Sequence, residues 1–326
     1  MRAVAEKTSS SISVVIPSYN GVGYLPGCLS SLRSQLVTPD EVIVVDDGST
    51  DDTTSFLREH FPDVRVVRLD TNRGFAAAVN EGIRRCTRDY IALLNNDTQA
   101  SPQWLRALKT TLDRQPSVGF CSSKMLFADR PEVVNSIGIG FTRTGTAFDV
   151  GYGQPDGERF ASPRPIFGAC AGAAMYRRQL FERIGLFDED LFMWYEDADL
   201  SFRAQLAGFK CAYVPDAVVY HVGGGTASPN DSLHIYYCSR NQILVLVKNL
   251  PGPLRSVYFG RLALTCLKHS FKSLAKGQTA VVRGYLAALA SLRYFIKKHE
   301  LIHDIVSSSA DEILALLELE LRQPTT

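Results

Sequence analysis

The sequence predicts an α/β protein: a mixed, mainly parallel sheet with helices on both faces, followed by a C-terminal helical extension. Three observations carry that prediction. Short apolar runs at residues 12–16, 41–45, 64–69 and 90–94 have the length and β-branched content of buried strands. Stretches with helical apolar spacing separate them, and such alternation builds a parallel sheet with crossover helices. Two of the runs stop abruptly in polar residues, Asp46-Asp47-Gly48-Ser49 and Asn95-Asn96-Asp97. Strand ends of that kind form the ligand-binding edge of an open α/β sheet.

Taken in order, residues 1–10 are polar, lack an apolar signal core and read as a disordered tail. The run Ile12-Ser13-Val14-Val15-Ile16 is a strand stopped by Pro17. Residues 24–35 place Leu25, Cys28, Leu29 and Leu32 at helical spacing. Strand 41–45, helix 53–60, strand 64–69, helix 74–86 and strand 90–94 follow. Beyond Pro102 come a helix at 104–114 and a strand at 118–127. The Gly- and Pro-rich stretch 129–164 reads as loops or irregular hairpins. Helices at 179–184 and 195–206 precede a strand at 210–219. Beyond Leu233 the chain reads as helical, and residues 255–302 mix Lys and Arg with Leu, Phe and Tyr amphipathically. That region fits either a membrane-surface helix pair or a helical cap on the domain. The expected organisation is a tail at 1–10, a domain at 11–235 and an extension at 236–326. The domain divides into a nucleotide-binding half, 11–100, and an acceptor and catalytic half, 101–235.

Composition narrows the function. A net charge of +1 gives no case for bulk nucleic-acid binding. The seven cysteines are scattered, odd in number and without a C-x-x-C pair, which suits reduced, cytosolic thiols better than a disulfide framework or zinc site. No apolar run is long enough to cross a bilayer.

The polar strand ends carry the chemistry. A carboxylate at Asp97 can hold a divalent cation, which in turn can hold a diphosphate; alone, the same residues make an ordinary polar turn. After the first strand, Pro17-Ser18-Tyr19-Asn20-Gly21 forms a small polar turn at the mouth of a crevice. Neither G-x-G-x-x-G nor G-x-x-x-x-G-K-[ST] is present. Asp46 and Asp47 can accept hydrogen bonds from a base imide or ribose hydroxyls, or serve a turn that Asp51 or Asp52 caps. Asn72-Arg73-Gly74-Phe75 opens a helix whose N-terminus suits a polar ligand group. In Trp194-Tyr195-Glu196-Asp197-Ala198-Asp199, Asp199 and Arg203 stand at i, i+4 as a structural pair. Asp197 turns about 100 degrees from Glu196, beside an aromatic platform of Trp194 and Tyr195, where a carboxylate can act as a general base. His221 follows a strand and precedes Gly223-Gly224-Gly225, whose backbone N–H groups can meet phosphate.

Together these residues resemble the family 2 glycosyltransferases, which have the GT-A fold. The resemblance covers about residues 12–241. It rests on Val14 to Asn20, Val44 to Asp51, Asn72-Arg73-Gly74-Phe75, Leu94-Asn95-Asn96-Asp97, Gly185-Leu186-Phe187-Asp188-Glu189 and Trp194 to Asp199. Within the family, the chain looks most like the rhamnosyltransferase and galactofuranosyltransferase branch of bacterial polysaccharide and cell-wall synthesis. The resemblance implies inverting transfer from a UDP- or dTDP-sugar, dTDP-rhamnose among them, to a saccharide or lipid-linked acceptor. It implies donor binding by Pro17, Ser18, Tyr19, Asn20, Asp46, Asp47, Asn72, Gly74 and Asn96. Trp194, Tyr195 and Glu196 would meet the acceptor, and Asp197 would be the base. A Mg2+ or Mn2+ ion would sit on Asp97 and His221. The family's D-x-D motif reads Asn95-Asn96-Asp97 here, so only its last position is an acid.

The implied location is cytoplasmic, with peripheral contact at the inner face of the membrane and homo-oligomerisation both open. Two other readings remain at this stage. A sugar-nucleotide pyrophosphorylase is also α/β, but usually carries a Gly-rich, Arg-containing loop where this chain has Pro17 to Gly21. A non-catalytic carbohydrate-binding or scaffolding module is the other.

Overall fold

The structure, a computed structural model, describes residues 10–223 and 231–319. Its first half alternates as expected: β1 (Ile12–Ser18), α1 (Leu25–Arg33), β2 (Glu41–Asp46), α2 (Thr53–His60), β3 (Arg65–Arg68), α3 (Phe75–Arg85) and β4 (Tyr90–Leu94). These strands are parallel, in the order β3-β2-β1-β4. The chain therefore runs outward from β1 to β3, then returns to the other side of β1. The resulting switch point lies between β1 and β4, where a doubly wound sheet opens a crevice at its carboxyl edge.

Strand alternation supplies both faces. Val15, Ile43, Val45, Ile91 and Leu93 pack with Ala76, Val79 and Ile83 of α3. Their neighbours Ile12, Val14, Ile16, Val44, Ala92 and Leu94 pack with α1 and with Leu57 of α2. Gly82 permits the close seating of α3, because a Cβ there would meet Val15 Cγ1 at 2.3 Å.

The second half holds β5 (Thr98–Ala100), α4 (Trp104–Arg114), β6 (Val118–Phe127), β7 (Val134–Ser136), β8 (Ile139–Phe141), β9 (Ala147–Asp149) and β10 (Arg164–Ile166). It continues through β11 (Ala173–Arg177), α5 (Arg178–Ile184), α6 (Glu196–Leu206) and β12 (Lys210–His221). The sheet extends as β4-β11-β6-β12-β10. The β11 strand is antiparallel to both neighbours, and β6 and β12 are parallel. The loops expected at 129–164 contain the β8–β9 hairpin and the short β7.

Four helices follow: α7 (Ser232–Asn249), α8 (Gly252–Ala275), α9 (Ala280–Leu301) and α10 (Ala310–Leu317). Leu244, Val245 and Val247 of α7 and Phe295 of α9 enclose Leu191, which lies just before α6. None of the helices among the described residues is long and apolar enough to cross a membrane.

The sequence reading needs three corrections. It left out β11, whose Ala173-Ala174-Met175-Tyr176-Arg177 has weak strand propensity yet fills the centre of the sheet. It ended the last strand at residue 219, whereas His221 is itself in β12, paired with Thr98 and Phe127. It began α6 at Tyr195. The helix starts at Glu196 because Phe192, Trp194 and Tyr195 all have positive φ, which no α-helix admits.

Candidate active site

The ends of β1 and β4 bound a small cavity of ≈ 100 Å³ at the switch point. Pro17, Ser18, Tyr19, Asp47, Asn72, Gly74, Asn96 and Asp97 line it, so eight of the expected ligand-binding residues come together. Tyr24, Phe75, Ala78, Asn95 and Met193 complete the lining. A larger cavity, ≈ 700 Å³, opens beside α4 and the start of β12. It lies at the opposite end of β12 from His221 and contains none of these residues, so the chemistry points to the smaller one.

Each lining residue has a local cause. Asp47 accepts hydrogen bonds from the backbone N–H groups of Arg73 (2.8 Å) and Gly74 (2.9 Å). It therefore fixes the Asn72–Gly74 turn against β2, a role the sequence reading did not give it. Burial pushes the Asp47 carboxyl up, against the pull of those two N–H groups. Asn96 donates to the Ser18 hydroxyl at 3.0 Å, tying the β4 turn to β1. Asn20 and Asp46 lie outside the cavity lining. Asn20 accepts from the Thr50 N–H at 2.8 Å and joins the two strand-end turns. Asp46 is wholly buried and accepts from the Ser49 N–H, the Thr54 hydroxyl and Arg68. Asp46 satisfies its own turn, because a strand-end acid without solvent access takes the nearest donors.

Asp97 and His221 meet across the β5–β12 pairing. His221 Nε2 lies 3.2 Å from Asp97 Oδ2, and His221 Nδ1 lies 3.1 Å from the Asn135 side-chain oxygen. With its Nδ1 proton given to Asn135, His221 would have Nε2 free for a cation shared with Asp97, as in histidines whose far nitrogen is held by a hydrogen bond. The other oxygen of Asp97, Oδ1, is buried without a hydrogen-bond partner among the described residues. No group of three or more His, Cys, Asp or Glu side chains among the described residues can hold a metal by itself. A two-residue seat suits Mg2+ or Mn2+ completed by phosphate oxygens and water. The expected phosphate contact from Gly224-Gly225 lies outside the described residues.

The loop from Cys170 to Gly172 links this seat to Asp197. Asn95 N–H donates to Gly172 O at 2.8 Å, and Ala171 N–H donates to Asp197 Oδ2 at 3.3 Å. Asp197 Oδ1 accepts from Ala198 N–H at 2.8 Å. Half-buried at the start of α6, Asp197 has its carboxyl pushed up to about 7, chiefly by burial and next by the negative charge of Asp149. Asp149 ends β9 and interacts electrostatically with both Asp197 and His221. The sequence reading missed it, because a Gly-rich hairpin carries no periodic signal.

The acceptor-side residues are arranged differently from expectation. Glu196 is buried, with one carboxyl oxygen unpartnered among the described residues, and burial drives its carboxyl well up. Tyr195 packs into two apolar clusters. Trp194 instead meets His234 edge-on (4.8 Å between ring centroids) and Tyr237 at a tilt (6.2 Å), both on α7. The aromatic platform is therefore Trp194 with α7, not Trp194 with Tyr195, because left-handed φ at both residues splays their side chains.

Asn241 and Lys248 hold this segment in place. The fully buried Asn241 amide donates to the carbonyls of Leu191 (2.9 Å), Met193 (3.0 Å) and Trp194 (2.8 Å). Lys248 bridges Asp188 (2.7 Å) and Asp199 (2.9 Å), and Asp199 also pairs with Arg203 at 2.9 Å as expected. Neither residue gave a sequence signal, since a lone Asn or Lys on an apolar helix predicts no partner.

Comparison with known proteins agrees with this geometry. The family model described as "Glycosyl transferase family 2" matches residues 13–185, more than half of the chain. The chain is 27% identical over 283 residues to a Mycobacterium tuberculosis protein, "N-acetylglucosaminyl-diphospho-decaprenol L-rhamnosyltransferase". That match covers 78% of this chain and 91% of the relative. Among solved structures it is similar to "GalNAc-T7 with UDP, GalNAc and Mn2+" (TM-score 0.64, 16% identity, 91% of this chain and 57% of the other). It is also similar to "Mannosyltransferase PcManGT from Pyrobaculum calidifontis in complex with GDP-Man and Mn2+" (TM-score 0.55, 18% identity, 95% and 88%).

Proposed function

The chain belongs to glycosyl transferase family 2 and has the GT-A fold, and on that footing we propose that it is an inverting transferase with Asp197 as its base. The donor is a UDP- or dTDP-sugar, and the matched L-rhamnosyltransferase supports rhamnose as the sugar moved, with dTDP-rhamnose among the donors to test. The acceptor is a hydroxyl of a saccharide or lipid-linked saccharide in bacterial polysaccharide synthesis. The single observation that carries this reading is the Cys170–Gly172 loop, which joins two groups, one at the strand-end cavity and one at the start of α6. One is a carboxyl at Asp197 tuned to about 7. The other is the Asp97–His221 pair with an unsatisfied carboxylate oxygen.

Pro17, Tyr19 and Asp47 bound the space for the nucleoside, and Asn96 and Asp97 bound the diphosphate end. A divalent cation held by Asp97 and His221 would neutralise charge on the leaving diphosphate. Asp197 takes the proton of the acceptor hydroxyl while that oxygen bonds to the anomeric carbon. The bond from the anomeric carbon to the β-phosphate oxygen breaks, and the nucleoside diphosphate leaves with the electron pair. Attack opposite the leaving group inverts the anomeric centre. A carboxyl raised to about 7 suits this step, because roughly half of it is ionised at neutral pH and the ionised form is still basic.

The test is turnover of a nucleotide-sugar panel, with product nucleotide measured, by the protein and by Asp197→Asn. The expected result is loss of transfer by at least about 100-fold, with donor affinity retained within a few-fold. Near-normal transfer by the variant would sink the assignment of the base. Donor binding with no nucleotide release from the unmodified protein would identify a binding module instead.

A further inference from the structure

The C-terminal helices carry an unusual charge distribution. The whole chain has 35 Lys and Arg against 34 Asp and Glu. Nine of those cations and none of the acids fall between Leu250 and His299, leaving 26 cations against 34 acids elsewhere. Screened charges of one sign over two long helices form a field, not a set of isolated pairs.

On α8 this charge accompanies an apolar face turned outward. Leu254, Tyr258 and Leu262 point into the protein, packing with Phe141, Phe167 and Phe202. On the opposite side, Leu264, Leu267, Phe271 and Leu274 are each more than half exposed, Phe271 at 74%, and Val257 continues the row. The spacing Val257, Leu264, Phe271 and Leu267, Leu274 repeats every seven residues and makes one stripe along the helix. Arg261, Lys268 and Lys272 follow one flank of that stripe. On α9, Leu286, Leu289 and Ile296 are also exposed, with Arg293 and Lys297 among them. Contiguous apolar exposure of this kind marks an interaction surface.

We propose that the outward face of α8 docks this protein on an anionic lipid surface, with Leu267 and Phe271 entering the acyl boundary and Arg261, Lys268 and Lys272 on the lipid phosphates. Charge decides between the occupants. A second copy pairing through the same stripe would bring one cationic flank against another with no acid on either. An anionic bilayer offers both complements at once: hydrocarbon for the stripe and phosphate for the flank. The long lysine stems let the ammonium groups reach phosphate while Leu and Phe sink below it. The inference goes beyond the transferase reading and does not depend on it, because vesicle binding needs no donor, acceptor or turnover.

The test is flotation of the full-length protein with vesicles of phosphatidylglycerol and phosphatidylcholine, compared with pure phosphatidylcholine. Binding is expected on the anionic vesicles, about tenfold or more above the neutral ones, and falling as salt rises. Lys268→Glu with Lys272→Glu should remove that preference. Phe271→Glu with Leu267→Glu should lower binding by about tenfold or more, with the helical circular dichroism unchanged. Equal partition onto neutral and anionic vesicles overturns the proposal, as does binding unaffected by either double variant. An absence of vesicle binding also overturns it: a dimer that Phe271→Glu dissociates would assign the face to a second copy, and capture of an acidic protein that Lys268→Glu abolishes would assign it to that partner.

Discussion

Asp197 is tuned first by burial and then by a neighbouring acid. Burial and the nearby Asp149 raise its carboxyl, and two backbone N–H groups only partly offset them. Catalysis by an ionised Asp197 should therefore rise with pH through about 7 and level off above it. Stability should move the other way. A carboxyl raised in the folded state contributes fully below its unfolded value near 4 and loses that contribution as pH rises through the folded value. Asp197→Asn should accordingly be more stable than the unmodified protein at pH 8, by ~1–3 kcal/mol. At pH 4 the two should melt together. Paired thermal melts across that range check it, and a constant difference at all pH values would contradict the raised carboxyl. Asn241 acts on the proposed base at one remove. Three residues of the Phe192–Tyr195 segment sit in the left-handed region at ~1 kcal/mol or more each, and one buried amide spans the carbonyls around them. Asn241→Ala should lower kcat by about 10-fold or more, at a stability cost of ~1–3 kcal/mol. Donor KM should change far less. Lost stability with normal kcat would show that the segment keeps its shape without the amide.

At the scale of elements, helix α6 is held by charge as well as by apolar packing. Burial alone would raise the Asp199 carboxyl, but Lys248 and Arg203 reverse that and hold it well below the usual range. Lys248 is buried between Asp188 and Asp199, so Lys248→Met leaves two buried acids short of a cation. That change should cost ~3–5 kcal/mol, read as a lowered denaturation midpoint; a cost below ~1 kcal/mol would show the bridge to be dispensable. Gly74 makes a second element-level constraint. It holds φ +86 at the start of α3, and a Cβ there would lie 2.6 Å from the Phe192 carbonyl oxygen. Gly74→Ala should thus weaken nucleotide binding and turnover together, because it separates the donor turn from the segment leading to Asp197. Equilibrium binding of a nucleotide diphosphate checks it, and unchanged affinity would contradict the coupling. The sequence revealed these elements unevenly. Strands β1, β2 and β4 were legible because they are continuous β-branched or leucine runs with polar stops. The β11 strand was not, because its place in the sheet comes from its neighbours β4 and β6 and not from its alanines. The α6 boundary was missed because the positive-φ segment ending at Tyr195 is held by Asn241, 47 residues beyond Trp194.

For the whole molecule, the decisive question is whether residues 236–326 are an appendage. The strand-end cavity was readable from the sequence, since β1 and β4 each bring their polar stop to one edge. The segment around Asp197 was less so, because its geometry is built by long-range contacts from α7 and α9. Leu191 is enclosed by apolar residues of those two helices. Asp188 and Asp190 are paired with Lys298 of α9, and Asp190 accepts from Tyr294 at 2.9 Å. Phe192 stacks on Tyr237 at 5.2 Å. A chain ended after residue 231 would expose Leu191, leave Asp188 and Asp199 buried without Lys248, and free the strained segment before Asp197. Such losses add buried charge short of a partner to lost apolar cover, against a stability of only ~5–15 kcal/mol for a typical domain. The truncated chain should therefore show no cooperative melt and no nucleotide-sugar turnover, whereas a chain ended after residue 319 should retain both. A truncated chain that melts cooperatively and still turns over donor would make the C-terminal helices a separate module. The alternative outcome makes them the third wall of the active site, and the division at residue 235 then marks a change of secondary structure within one folding unit.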